Sequence, residues 1–252
     1  MIQEGRARIS SEVILAIKST ESFDKLEQRI AEIEHLFFVP PADRNRLLVR
    51  GWESSAEHFL ENEILDTADE ARLAEFKDYF GLSQRELDRN GAMTRTAKAR
   101  VLREVLNGNV PRMSIDGSIP INYQKDEQTV WAFPNSIYLE DKTRRQYIVD
   151  SRGVGVQFMN GVYYRRDSFK GRTVEQAERM HVDTGWVVVT SKYIYFAGAR
   201  KILRLPYAKI ISFVPFGDGI GVMRDTAAAK LQIFVTGDGW FTYNLVVNLA
   251  QL

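Results

Sequence analysis

Apolar residues in the first half of the chain recur three and four positions apart, the spacing of one helix face. Phe23, Leu26, Ile30, Ile33 and Phe37 make one such stripe. Pro40-Pro41 ends it, because proline lacks an N–H and clashes with the preceding turn. Leu48, Trp52, Ala56 and Phe59 make the next. Thr67 and Glu70 have capping-box spacing ahead of Leu73, Phe76 and Phe80, and Gly81 follows where a left-handed C-cap is wanted. Ser83 and Glu86 repeat the box, and Val101, Leu102, Val105 and Leu106 form a last stripe before Gly108. Met1 to Ser10 reads as polar. The pattern predicts roughly five helices that bury their stripes against one another or against a partner.

The texture changes after Pro111. Gly117 and Pro120 lie in a polar stretch, and β-branched and aromatic residues then come in short runs between turn residues. Strands are expected at Thr129–Phe133, Ser136–Glu140, Arg145–Asp150, Val154–Met159 and Gly161–Arg165, with Asn160-Gly161 as a hairpin turn. Thr173 to Arg179 has helical character. Further strands are expected at Gly185–Thr190, Lys192–Ala197, Lys201–Leu205, Lys209–Phe213, Ile220–Arg224 and Lys230–Val235. Phe241, Leu245, Leu249 and Leu252 then step by four, four and three, a helical stripe over about Trp240 to Leu252. The expected fold class is α+β: an all-helical domain over 1–118, then an antiparallel β domain over 119–252 closed by a C-terminal helix.

One segment carries a resemblance. Gly185-Trp186-Val187-Val188-Val189-Thr190-Ser191-Lys192-Tyr193-Ile194-Tyr195-Phe196-Ala197-Gly198, then Leu205-Pro206-Tyr207-Ala208-Lys209-Ile210-Ile211-Ser212-Phe213, resembles the bacterial PH-like and GRAM-like domains. In these a strand ending in Thr turns into a second strand with an aromatic residue and Gly at its end. A third strand then leads into an Ile-Pro-Tyr-x-Lys-Ile stretch, whose first position here is Leu205. The resemblance implies a bent antiparallel sheet plugged by one amphipathic helix. It implies binding of phosphoinositides, proteins or other ligands, with no shared active site to carry over. Residues 1–118 resemble no family.

Composition adds limits. The chain has 252 residues and no cysteine, which removes disulfides and cysteine-based zinc sites and makes a reducing cytoplasm the expected location. No apolar run approaches the roughly 20 residues that span a bilayer. Net charge is +1, divided as −4 over 1–118 and +5 over 119–252, without the basic stripe of a nucleic-acid binder.

Few residues suggest chemistry. Gly217-Asp218-Gly219-Ile220-Gly221 is followed by a strand-like run, so it reads as a tight turn and not as a phosphate loop. His58 and Glu61, with Glu53 and Glu57 nearby, lack the second histidine of a metal motif and read as a solvated acidic face. No cofactor is expected. Lys142, Arg144 and Arg145 form a basic cluster placed in a hairpin turn, and Arg165, Arg166, Lys170 and Arg172 form another. Each basic residue near an anionic membrane adds about 1 kcal/mol, so these seven are the candidate contacts to an anionic surface. Trp240-Phe241-Thr242-Tyr243 puts three aromatics at the start of the last helix, to be packed under the sheet or offered to a partner groove. The reading that emerges is a noncatalytic, protein-binding interaction module. The alternatives are a peripheral adaptor on anionic membranes and a hydrolase without a recognisable motif.

Overall fold

The computed structural model describes residues 1–61, 65–113, 121–148, 172–226 and 230–252. The expected strands Val154–Met159 and Gly161–Arg165 and the Asn160-Gly161 turn lie outside them. The chain forms two compact units, Met1–Arg112 with Gln251–Leu252, and Met113–Ala250. The first is helical and the second holds an antiparallel sheet followed by a helix, an α+β layout.

The helical unit is built on α1 (Ile2–Lys18), a helix that begins inside the stretch read as polar. Its buried residues Gly5, Ile9, Val13, Ala16 and Ile17 step by four, four, three and one. α1 packs on α2 (Phe23–Phe37) and crosses α3 (Arg44–Phe59) at Gly51. A Cβ on Gly51 would lie 2.3 Å from Val13 Cγ1, so the two backbones approach as closely as they do only because that atom is missing. Trp52 is fully buried and donates its indole N–H to Leu73 O at 3.0 Å, joining α3 to α4 (Thr67–Tyr79). The short α5 (Gln84–Leu87) opens on the expected Ser83–Glu86 capping box, and α6 (Ala92–Leu106) buries Ala99, Val101, Leu102 and Val105. Arginines join the elements. Arg72 lies 3.7 Å over the Phe23 ring and donates to the carbonyls of Ala16 and Glu21, and Arg29 binds both Glu12 and Glu21.

Two expectations are corrected here. α4 is capped by Asp66, not Thr67: the Asp66 carboxylate accepts from Ala68 N at 3.0 Å, one residue ahead of the threonine. Leu106, in the last turn of α6, is exposed and not part of the buried stripe.

The second unit contains β1 (Thr129–Ile148), β2 (Arg172–Thr190), β3 (Tyr193–Gly198), β4 (Ile202–Pro206), β5 (Ile210–Phe216), β6 (Gly219–Arg224) and β7 (Gln232–Val235). Their order is β4-β3-β2-β1-β7-β6-β5, and each neighbouring pair is antiparallel. β1 runs beside β2 along its whole length but meets β7 only over Ile137–Glu140. β1 is one strand where three were expected, Thr129–Phe133, Ser136–Glu140 and Arg145–Asp150, the last described as far as Ile148. Pro134-Asn135, between the first two of them, forms an irregularity inside the ladder, between Phe133 and Ser136, with Asn135 at φ 54°. Thr173–Arg179 is also corrected: it belongs to β2 and pairs with Asp141–Tyr147, cross-strand pairing overriding the helical preference of its residues.

Tyr138 is the core of this sheet. Its ring stacks on Phe234 at 5.2 Å and lies 5.2 Å from Phe196. Its hydroxyl donates to Glu140 and accepts from Gln232 Nε2 at 2.7 Å, and burial together with the carboxylate pushes its pKa up.

The closing helix α7 spans Gly239–Leu249 and buries Phe241, Leu245, Val246 and Leu249 against β5 and β6. Phe241 also meets the rings of Trp131 and Phe133 at 5.2 and 6.0 Å. Asp238 caps the helix by accepting from Phe241 N at 3.1 Å. The Gly217-Asp218 turn between β5 and β6 is tied to the same corner, since Asp218 O accepts from Thr236 N and Gly237 N, both at 2.9 Å. Leu252 lies beyond the helix and is exposed, so the expected stripe ends at Leu249. Leu245 is fully buried. Leu245→Ala is expected to lower stability by about 2–5 kcal/mol, the usual cost of a buried leucine and its cavity. Thermal denaturation checks this, and an unchanged melting temperature would show that α7 is not a structural plug.

Candidate interaction surface

The predicted basic residues fall in two places. Lys142, Arg144 and Arg145 are not in a turn: they are interior positions of the β1–β2 ladder. The register sets Lys142 opposite Glu178 and Arg145 opposite Glu175, and next to them Arg179 Nε lies 3.9 Å from Asp141. Arg172 opens β2 opposite Ile148. Arg165, Arg166 and Lys170 lie outside the described residues.

A second group of basic residues lies around β3, β4 and the turn between them. From Thr184 to Gly217 the chain has no acidic residue, and it carries Lys192, Arg200, Lys201, Arg204 and Lys209. All five border the terminal strand β4. Arg200 and Lys201 precede its first residue, Arg204 is at its middle, and Lys209 closes the 3₁₀ turn Tyr207–Lys209 that follows it. Lys192 sits beside that end, its carbonyl accepting from Tyr207 N at 3.3 Å. The sequence signal was present as an acid-free stretch, but without the topology it does not gather on one edge.

The turn is held by a buried carboxylate. Asp183, only 5% exposed, accepts from Arg200 N at 2.7 Å, Lys201 N at 2.9 Å and Thr184 N at 2.9 Å. A Cβ on Gly198 would lie 2.3 Å from Asp183 Oδ2, which is why glycine ends β3. The Arg200 backbone N–H first, and then those of Thr184 and Lys201, hold the Asp183 carboxyl below the usual carboxylate range. The opposite end is held by Glu127, in the segment leading into β1. Its carboxylate accepts from Thr190 Oγ1, from the Tyr195 hydroxyl at 2.9 Å and from Gln124 N at 2.8 Å. The Tyr195 phenol is thereby raised, by burial first and Glu127 second, and burial raises Tyr207, whose hydroxyl donates to Thr190 O at 2.9 Å. The edge is therefore a rigid one, pinned at both ends by carboxylates that face inward.

On the outer face of β4, Ile202 is 69% exposed and Arg204 lies over the Tyr193 ring at 5.4 Å. On the other terminal strand, β5, Ile211 is 64% exposed, while Trp240 at the start of α7 is 47% exposed. His58 and Glu61 bind each other at 3.0 Å, Glu57 pairs with Arg95 and Glu53 accepts from Asn90. Among the described residues no group of three His, Asp or Glu is placed to hold a metal ion, and no helix is long and apolar enough to cross a membrane. Comparison with known protein families, curated proteins and solved structures finds no match.

The Asp183 pin makes a pH prediction. Its pKa is lowered on folding, so the ionised form stabilises the fold. That contribution is complete above the unfolded value, about 4 for an aspartate, and is lost as pH falls through the lower folded value. Asp183→Asn is expected to melt at a lower temperature than the parent at pH 7, with the gap closing as the pH falls below 4. A gap that is the same at every pH would mean that the carboxylate charge plays no part in holding the turn.

Proposed function

We propose that this chain is a noncatalytic interaction module that binds another protein in the cytoplasm, and that its β unit is a PH-like domain. The seven-stranded antiparallel order and the helix packed after the last strand support the PH-like assignment. One observation carries the binding role: among the described residues the sheet does not close. Among the described residues β4 pairs only with β3, and β5 only with β6, so both terminal strands keep an unspent side. An open strand edge binds by main-chain hydrogen bonds, with side chains on the flanking faces setting specificity. Exposed apolar residues stand on both edges, Ile202 on β4 and Ile211 on β5, and edge strands left bare in this way are sites of pairing.

A photo-crosslinking amino acid tests this reading in living cells. Placed at Ile202 or Ile211 it is expected to capture protein partners, while the same group at Leu15, exposed on α1, captures far fewer. Captures from Leu15 with none from either edge would move the interaction to the helical unit and contradict the proposal.

A further inference from the structure

The two edges differ in what they can accept, and the difference names a partner. On β5 the ladder is irregular between Ile210 and Ser212, and Pro215 lacks an N–H, which leaves Ser212–Val214 as its regular part. β4 pairs with β3 without a register shift from Ile202 to Pro206, and its one proline is the last residue. A strand in a sheet rises about 3.3 Å per residue, so β4 offers an edge of roughly 16 Å.

That edge is positively charged from end to end. Arg200 is partly spent, its Nη2 donating to Val182 O at 2.7 Å and its Nε lying 3.8 Å from Asp183. Lys192, Lys201, Arg204 and Lys209 have no ion pair among the described residues. Glu127 and Asp183 lie close by with their oxygens taken by backbone N–H groups and hydroxyls of the sheet itself, and Asp225 sits beside Lys209, its N–H donating to Lys209 O at 2.9 Å. Two β4 edges brought together would set these charges against one another, so the charge that blocks self-pairing selects an acidic partner.

We propose, resting on the interaction role given above, that β4 takes an acidic, extended peptide as an added strand. Residues two apart on a strand share a face, and on β4 the outward pair is Ile202 and Arg204. The peptide that fits alternates acidic and apolar residues: its carboxylates, two residues apart, share the face of Arg204 and reach the lysines at the ends, and its apolar residues share the other face with Leu203 and Leu205. The peptide's main chain supplies the hydrogen bonds that β4 lacks on its open side.

Fluorescence anisotropy with the full chain at low salt tests this, using a labelled, end-blocked Glu-Val-Glu-Val-Glu-Val peptide. Two controls are a Lys-Val peptide of the same length and the Glu-Val peptide with two prolines inserted at its centre, which removes an N–H from whichever alternate set faces β4 and keeps every carboxylate. The Glu-Val peptide is expected to bind. The Lys-Val peptide is expected not to bind, and the proline peptide to bind at least tenfold more weakly. Arg204→Glu with Lys209→Glu should also weaken binding at least tenfold, and Arg204→Ala with Lys209→Ala serves if the reversal fails to fold. The proline control leaves the protein unaltered, so it reads strand addition whatever the variants do. Equal binding of the proline peptide overturns strand addition in favour of charge attraction alone. Absence of Glu-Val binding, with partners still captured at Ile202, overturns the acidic peptide and keeps the interaction role; absence of both removes both. Vesicles containing phosphatidylserine are the last arm: binding to them that Arg204→Glu abolishes, without peptide binding, would replace the peptide by an anionic membrane.

Discussion

Four residues of one strand hold the β unit together. Ile137–Glu140 is the stretch of β1 that pairs with β2 on one side and β7 on the other, so β2–β4 and β5–β7 meet through it. Tyr138 sits at the middle of this seam with its ring among Phe196 and Phe234, from β3 and β7, and its hydroxyl between Glu140 and Gln232. Packing and polar bonding are inseparable at this point. A buried phenol needs partners, and Gln232 Oε1 already has none among the described residues. A sheet joined at so short a seam can curve, and its two outermost strands need not meet. β4 and β5, though joined in sequence by the turn Tyr207–Lys209, do not pair with each other among the described residues.

The helical unit is organised differently. Its centre is α1, and its elements are joined by arginines that combine a carboxylate or carbonyl with an aromatic face, as Arg72 does over Phe23. Guanidinium suits this role because its planar fork donates in several directions while its face packs on a ring. Among the described residues Arg72 Nε and Arg103 Nε are buried without a partner, the cost of fitting a five-donor group between helices.

Much of this was legible as spacing. Stripes such as Phe23-Leu26-Ile30 and Phe241-Leu245-Leu249 name buried faces because helix geometry puts those positions on one side. α1 was passed over because its first ten residues hold more polar than apolar residues, although Gly5, Ile9 and Val13 already step by four. Thr173–Arg179 departs from its helical spacing because local preference is weak against a partner strand remote in sequence, and the ladder runs on through Pro134-Asn135 as a bulge-like irregularity. The basic surface shows the limit most clearly. Lys142, Arg144 and Arg145 form a cluster in sequence, but the register sets acidic residues opposite two of them. Lys192, Lys201, Arg204 and Lys209 are dispersed in sequence and gather only when β3 and β4 pair and the chain turns at Tyr207.

β4 is a basic strand with one side unpaired among the described residues, in a sheet centred on the β1 seam. Amide hydrogen exchange on the full chain measures both properties at once. Ile137–Glu140 are expected among the slowest amides of the β unit, because that backbone has a strand on each side. Along Leu203–Leu205, amides facing β3 should exchange slowly and those facing outward quickly. Uniform protection along β4, equal to that of the seam, would show that its outer side is already paired and would contradict the open edge on which the functional reading rests.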